Sequence, residues 1–193
     1  NKIKKKLIFV NNLNSNATYF KDKNINLNLI ISKSGNTLET ITNASALIKN
    51  KDNNIIITED KNNYLKDLAI KLKAEVFEHK NYVGGRYSVL SEVGMLPAEL
   101  MKLNENRFKQ FNNLIVNKIF IKNLVNNVAA TLNFIKTGKS NSIILNYDEQ
   151  SESLFKWYQQ LIAESLGKKS KGILPVISSM PKDNHSLMQL YLD

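Results

Sequence analysis

Short apolar runs closed by Asn, Asp, Lys or Gly alternate along this chain with longer stretches in which apolar residues recur every three or four positions. The first pattern suits buried strands and the second amphipathic helices. Residues 7–10 (LIFV) read as a strand, and residues 27–31 (LNLII) as another. A helix is predicted over 37–49, with Leu38, Ile41, Ala44, Ala46 and Ile48 near one face. Asn53 and Asn54 introduce a strand over 55–58, Asp60 is placed to cap a helix running to Leu72, and 74–77 makes a fourth short strand. Strands joined by helices cross over right-handedly, so parallel order is expected.

Beyond Gly84 and Gly85 the texture becomes helical over 88–103 and again over 107–135, until 138–141 breaks the pattern. A strand over 142–145, a helix over 149–166 closed by Gly167, a strand over 173–177 and the start of a helix over 184–192 complete the pattern. The fold class is therefore α/β. A soft boundary divides the chain into 1–102 and 103–193, with the long helical connector opening the second part.

Composition narrows this picture. At 193 residues, with 42% hydrophobic side chains, seven glycines and three prolines, the chain can bury a core and is not a disordered tail. The absence of cysteine excludes disulfides and thiolate chemistry. Its apolar runs are far shorter than the roughly 20 residues that cross a bilayer, so a cytoplasmic protein with no membrane partner is expected. The net charge of +10 invites a nucleic-acid reading. Against it, the basic excess is spread over both halves, 4–6 form the one conspicuous basic block, and nearly every cation is Lys in a chain equally rich in Asn. That is a compositional bias more than a binding face, and no nucleic-acid partner is expected. The chain begins with Asn1 and shows no leader-like segment, which reads as an internal piece of a longer protein.

Four segments carry candidate chemistry. Between a strand and a helix stand Ser32, Lys33, Ser34, Gly35, Asn36 and Thr37, with Thr40 one turn on. Hydroxyls, an ammonium and the free N–H groups of a helix start make an anion cup, although helix capping alone would explain the Ser and Thr. The Walker spacing is absent, which argues against a nucleoside triphosphate. Next comes Gly84-Gly85-Arg86-Tyr87-Ser88, where a tight backbone turn delivers one of only two arginines, a planar fork of donors; a surface arginine in a glycine turn is the plain alternative. Third, Gln160 and Glu164 share a helix face, where they can address one ligand or one another. Last, His185 lies near a helix start in Asp183-Asn184-His185-Ser186, able to act as an acid or base at neutral pH or to be an incidental polar residue. His79, in an apolar strand, reads as structural.

Taken in order, these segments resemble the phosphoglucose isomerase family of the SIS-type sugar isomerase superfamily. Ser32-Lys33-Ser34-Gly35-Asn36-Thr37-Leu38-Glu39-Thr40 is similar to that family's phosphate loop, and Gly84-Gly85-Arg86-Tyr87-Ser88 with Gly94 to its first signature. Gln160 with Glu164-Ser165-Leu166-Gly167-Lys168 resembles the segment bearing the catalytic glutamate, and Asn184-His185-Ser186 with Gln189-Leu190 the catalytic histidine segment.

The resemblance implies two SIS-type three-layer α/β/α sandwich units with mostly parallel sheets, the second incomplete at its C-terminus. It implies interconversion of glucose 6-phosphate and fructose 6-phosphate through a cis-enediol. Glu164 would move the proton between C1 and C2, Arg86 would stabilise the enediol oxygens and His185 would assist ring opening. Ser32, Lys33, Ser34, Thr37 and Thr40 would hold the phosphate, and Gln160 would bind the sugar or orient the base. No metal or cofactor is called for. A homodimer is implied, since in the family the histidine comes from the neighbouring subunit. A glycine- and serine-rich sugar loop before position 1 and a lysine-bearing segment after 193 are the expected parts this chain lacks. A SIS-type regulator that binds a sugar phosphate without converting it, and a bifunctional phosphoglucose and phosphomannose isomerase, are the alternatives.

Overall fold

A computed structural model describes residues 7–13, 27–48, 53–169 and 171–193. The Lys4 to Lys6 block and the Lys49 end of the first predicted helix lie outside the described residues. The chain divides into two compact units, Asn1–Lys109 and Gln110–Asp193.

In the first unit β1 (Asn28–Ile31), α1 (Leu38–Leu47), β2 (Asn54–Thr58), α2 (Tyr64–Leu72) and β3 (Glu75–Glu78) follow in order, and the strands form a parallel sheet β1-β2-β3. Ile30 of β1 stands opposite Ile56 of β2, and both pack with Ala44 of α1 and Leu65 and Ala69 of α2 into a buried cluster. Leu65 and Ala69 are four apart, so one stripe of α2 meets the sheet. A 3₁₀ turn (Gly85–Leu90), α3 (Glu92–Leu100) and α4 (Glu105–Lys109) complete the unit.

The second unit holds α5 (Asn112–Val116), α6 (Lys118–Lys136), β4 (Asn141–Asn146), a 3₁₀ turn (Glu149–Ser151), α7 (Glu152–Leu166), β5 (Leu174–Ser179), a 3₁₀ turn (Lys182–His185) and α8 (Met188–Leu192). Strands β4 and β5 pair in parallel, and Gln159 Nε2 of α7 donates to Pro175 O of β5 at 2.7 Å. The expected α/β architecture with parallel sheets is the one found.

Several expectations are corrected. Residues 7–10 are irregular and exposed, Phe9 at 78%, because apolar content alone supplies no ladder partner for the backbone. The single helix expected over 107–135 is three, and Asn117 makes the last break: its Oδ1 accepts from the N–H groups of Ile119 and Phe120, both at 3.0 Å, and restarts the helix as α6. Asp60 does not cap α2; Asn63 does, accepting from Lys66 N at 3.0 Å, while Asp60 pairs with the Lys66 ammonium.

Gly167 closes α7 as expected but not with a left-handed turn, for its φ is −72°. A Cβ there would lie 2.5 Å from Ala163 O, so the glycine serves a close backbone approach.

Candidate active site

The Ser32 to Thr37 segment leaves the C-terminal end of β1 and enters α1, the edge of an open parallel sheet where ligands bind. Ser32 is buried, and its Oγ shares a 2.8 Å hydrogen bond with Thr37 Oγ1. Thr37 is the N-cap residue of α1, yet its hydroxyl is spent on Ser32 and caps nothing. The first turn of α1 therefore starts with no side-chain cap on its N–H groups, and Thr40 lies in that turn. Ser34 Oγ accepts from Asn36 N at 3.2 Å, folding the loop tightly.

Contacts to α2 hold the loop in place. Leu65 N donates to Gly35 O at 3.2 Å and Tyr64 N to Asn36 Oδ1 at 3.0 Å, so the cup rests on the start of α2. Gly35 has φ +68°, and a Cβ on it would collide with the Asn63 side chain. Hydroxyls, an uncapped helix start and a tight glycine turn are the parts an anion site uses.

Lys33 lies in this loop, but its ammonium reaches across to another segment. It donates to Val83 O at 2.7 Å and Asn81 O at 3.0 Å, and pairs with Glu59 Oε1 at 3.4 Å. Glu59, 8% exposed at the end of β2, is also paired with Lys61. Lys61, and after it Lys33, hold its carboxyl below the usual value against the opposing effect of burial. Lys33 thus ties the cup to the chain leading into Gly84-Gly85-Arg86.

There Tyr87 N donates to Gly84 O at 2.9 Å and Ser88 Oγ to Gly85 O at 2.6 Å, which closes a 3₁₀ turn and fixes Arg86 on it. The Arg86 guanidinium lies over the Tyr87 ring, 4.8 Å from its centre. Gly94 belongs to the same construction: a Cβ on it would collide with Val89 O, where α3 comes in under the turn.

In the second unit, Gln160 and Glu164 lie on the exposed side of α7, with Gln160 Nε2 donating to Glu164 Oε1 at 3.0 Å. His185 ends the 3₁₀ turn after β5 and is exposed. Asp183 shapes that turn. Its Oδ2 accepts from the fully buried Ser178 hydroxyl and from Ser179 N, each at 2.7 Å, and these bonds, the hydroxyl's first, lower its pKa. Tyr191 of α8 donates to Ser178 Oγ at 3.4 Å. The helix expected over 184–192 is broken here because Asp183 bends the chain back onto β5.

The structure thus joins Ser32 with Thr37, ties Lys33 to the chain before Arg86, and joins Gln160 with Glu164. One residue of this framework, Glu59, was not singled out in the sequence, and Asp183 was named there only as a neighbour of His185. Glu59 is the first residue beyond an apolar strand, the position where α/β sheets collect functional groups, and that was a readable signal.

The family model described as "Phosphoglucose isomerase" matches residues 1–176. The chain belongs to the phosphoglucose isomerase family. Glucose-6-phosphate isomerase of Methanocaldococcus jannaschii is 36% identical over 96% of the chain and 50% of its own length. The Mycoplasma capricolum enzyme of the same name is 32% identical over 89% of the chain and 43% of its own length. The chain spans about half the length of the curated relatives it matches. A solved structure of a hypothetical protein from Thermus thermophilus superposes with a TM-score of 0.69 at 26% identity, covering 84% of the chain and 43% of that protein. Three of the four segments, those of Ser32, Arg86 and Glu164, lie within the matched residues 1–176, and that of His185 lies beyond them.

Proposed function

We propose that the protein containing this chain is an aldose-ketose isomerase that interconverts glucose 6-phosphate and fructose 6-phosphate through a cis-enediol. The observation that carries this reading is the uncapped start of α1 beneath Ser32, Ser34 and Thr37, tied through Lys33 to the loop of Arg86, in a chain of this family. The phosphate is held by the hydroxyls of Ser32, Ser34, Thr37 and Thr40 and the N–H groups of the first turn. Binding energy gained there is far from the reacting carbons and goes into holding C1 and C2 in place.

Glu164 takes the proton from one carbon and returns it to the other, with Gln160 fixing the carboxylate through the 3.0 Å bond. The carboxylate is exposed on this chain, so the bound sugar itself would provide the dry surroundings that proton transfer favours. Arg86 stabilises the oxygen charge that grows as the enediol forms. His185, supplied by a second copy in a homodimer, assists ring opening.

The test uses the full protein with glucose 6-phosphate as substrate. Turnover is expected, and Glu164→Gln should lower kcat by about 10³-fold while affinity for a phosphosugar inhibitor changes little, because the proton carrier is lost and the phosphate handle kept. Binding without turnover in the unsubstituted protein would make it a sugar-phosphate sensor instead. Full activity in the Glu164→Gln protein would overturn the assignment of the base.

A further inference from the structure

The buried carboxylate of Glu59 has no part in the chemistry just described, yet it sits between the two halves of the first unit's site. It grips Lys33 at both ends. Glu59 N donates to Lys33 O at 3.0 Å, reinforced by Thr58 Oγ1 to the same oxygen at 3.3 Å, while Glu59 Oε1 pairs with the Lys33 ammonium at 3.4 Å. That ammonium carries the connection onward to Val83 O and Asn81 O, immediately before Gly84. Further back, His79 N donates to Thr58 O at 2.8 Å, so the same strand end anchors the start of the segment. The end of β2 is thereby joined to the chain beyond β1 and beyond β3, and the Lys–Glu pair extends that joint to the residues before Gly84.

We propose that Glu59 is a positioning residue for Arg86: with Lys33 it forms a strut that sets the distance between the phosphate cup and the Gly84-Gly85-Arg86 turn. This rests on the function proposed above. A sugar phosphate has a fixed span from phosphorus to C1 and C2, so a cup and a guanidinium that serve the same molecule must keep one spacing. Misplacement by about 1 Å can cost on the order of 100-fold in rate. Lys33 suits the task because a single ammonium satisfies two carbonyls and a carboxylate at once, and Glu59 suits it because a carboxylate holds that ammonium away from the anion in the cup. The Lys33 side chain, in this arrangement, acts on the loop and not on the phosphate.

The two roles separate in experiment. In the full protein, Glu59→Gln should lower kcat about tenfold, leave inhibition by inorganic phosphate within about twofold, and speed hydrogen exchange at the Val83 and Tyr87 amides. Lys33→Met should do the same, and the double variant should be little worse than either single one, since both remove one connection. Glu59→Asp, which keeps the charge, should recover most of kcat. A Lys33→Met protein that loses about tenfold or more in phosphate affinity would make Lys33 a phosphate ligand and overturn the strut. So would additive effects in the double variant, or unchanged exchange at Val83 and Tyr87. If the unsubstituted protein does not isomerise, the function proposed above fails, while the exchange and phosphate measurements still decide the strut by themselves.

Discussion

Gly35 shows how a single residue couples stability to binding. Its φ of +68° is costly for any side chain, and a Cβ would strike Asn63, which caps α2. Gly35→Ala should therefore lose stability twice, by about 1–2 kcal/mol for the backbone and about 1 kcal/mol for the disturbed cap, and should weaken phosphate binding by opening the loop. Gly138 is the control: its φ is +89°, but a Cβ there meets open space, so Gly138→Ala should cost the backbone part alone. Urea unfolding of both variants checks the difference, and equal losses would remove Asn63 from the account. Lys33 marks the limit of reading at this scale. Its place in the loop was legible from Ser32 to Thr37, but the direction of its side chain depends on where β3 ends, about fifty residues away in sequence.

At the scale of elements, the strands of the sheets and their parallel order were legible because Ile30, Ile56 and their neighbours make apolar runs that only a covered sheet can use. Helix ends were harder to read. In a chain with so many Asn residues every turn offers a cap, and which one is used depends on tertiary partners. Asn63 prevails over Asp60 because its amide is satisfied on both sides: Oδ1 takes Lys66 N, while Nδ2 donates to Lys61 O at 2.9 Å and Thr58 Oγ1 at 3.2 Å. Residues 7–10 fail for the opposite reason, since a strand is defined by its neighbour and the run itself names none. Asn63→Ala should consequently cost more than an ordinary cap, about 2–3 kcal/mol, because a buried hydrogen-bond hub is lost along with the cap. Asn63→Asp keeps the accepting oxygen and should recover the cap without the Nδ2 bonds, placing its unfolding midpoint between those of the Ala variant and the original. A midpoint for Asn63→Ala equal to the original would show that α2 starts elsewhere.

Across the whole molecule, a net charge of +10 makes the few carboxylates unusually important. Glu59, Asp60 and Glu152 are each held below their usual pKa by a lysine, and Asp183 by the Ser178 hydroxyl and Ser179 N–H. A carboxyl that ionises more readily folded than unfolded contributes stability that is complete above its ordinary value, 4.5 for Glu and 3.8 for Asp, and is lost as pH falls through the lowered one. Lys80, raised from 10.5 chiefly by Glu78, contributes below that value and loses its contribution as pH rises through the raised one. Both edges lie far from neutrality, so the thermal midpoint should be level from about pH 6 to 9 and fall steeply below about pH 4.5. Protonation on the acid side also adds to a charge that is already positive, so self-repulsion steepens the same fall. Asp183→Asn separates the two effects: it should lower the midpoint at pH 7, where the charged bonds to Ser178 and Ser179 are lost, and make the acid decline shallower. Melting curves at five or so pH values decide it, and a decline that begins near pH 6 would take control of folding away from these carboxylates.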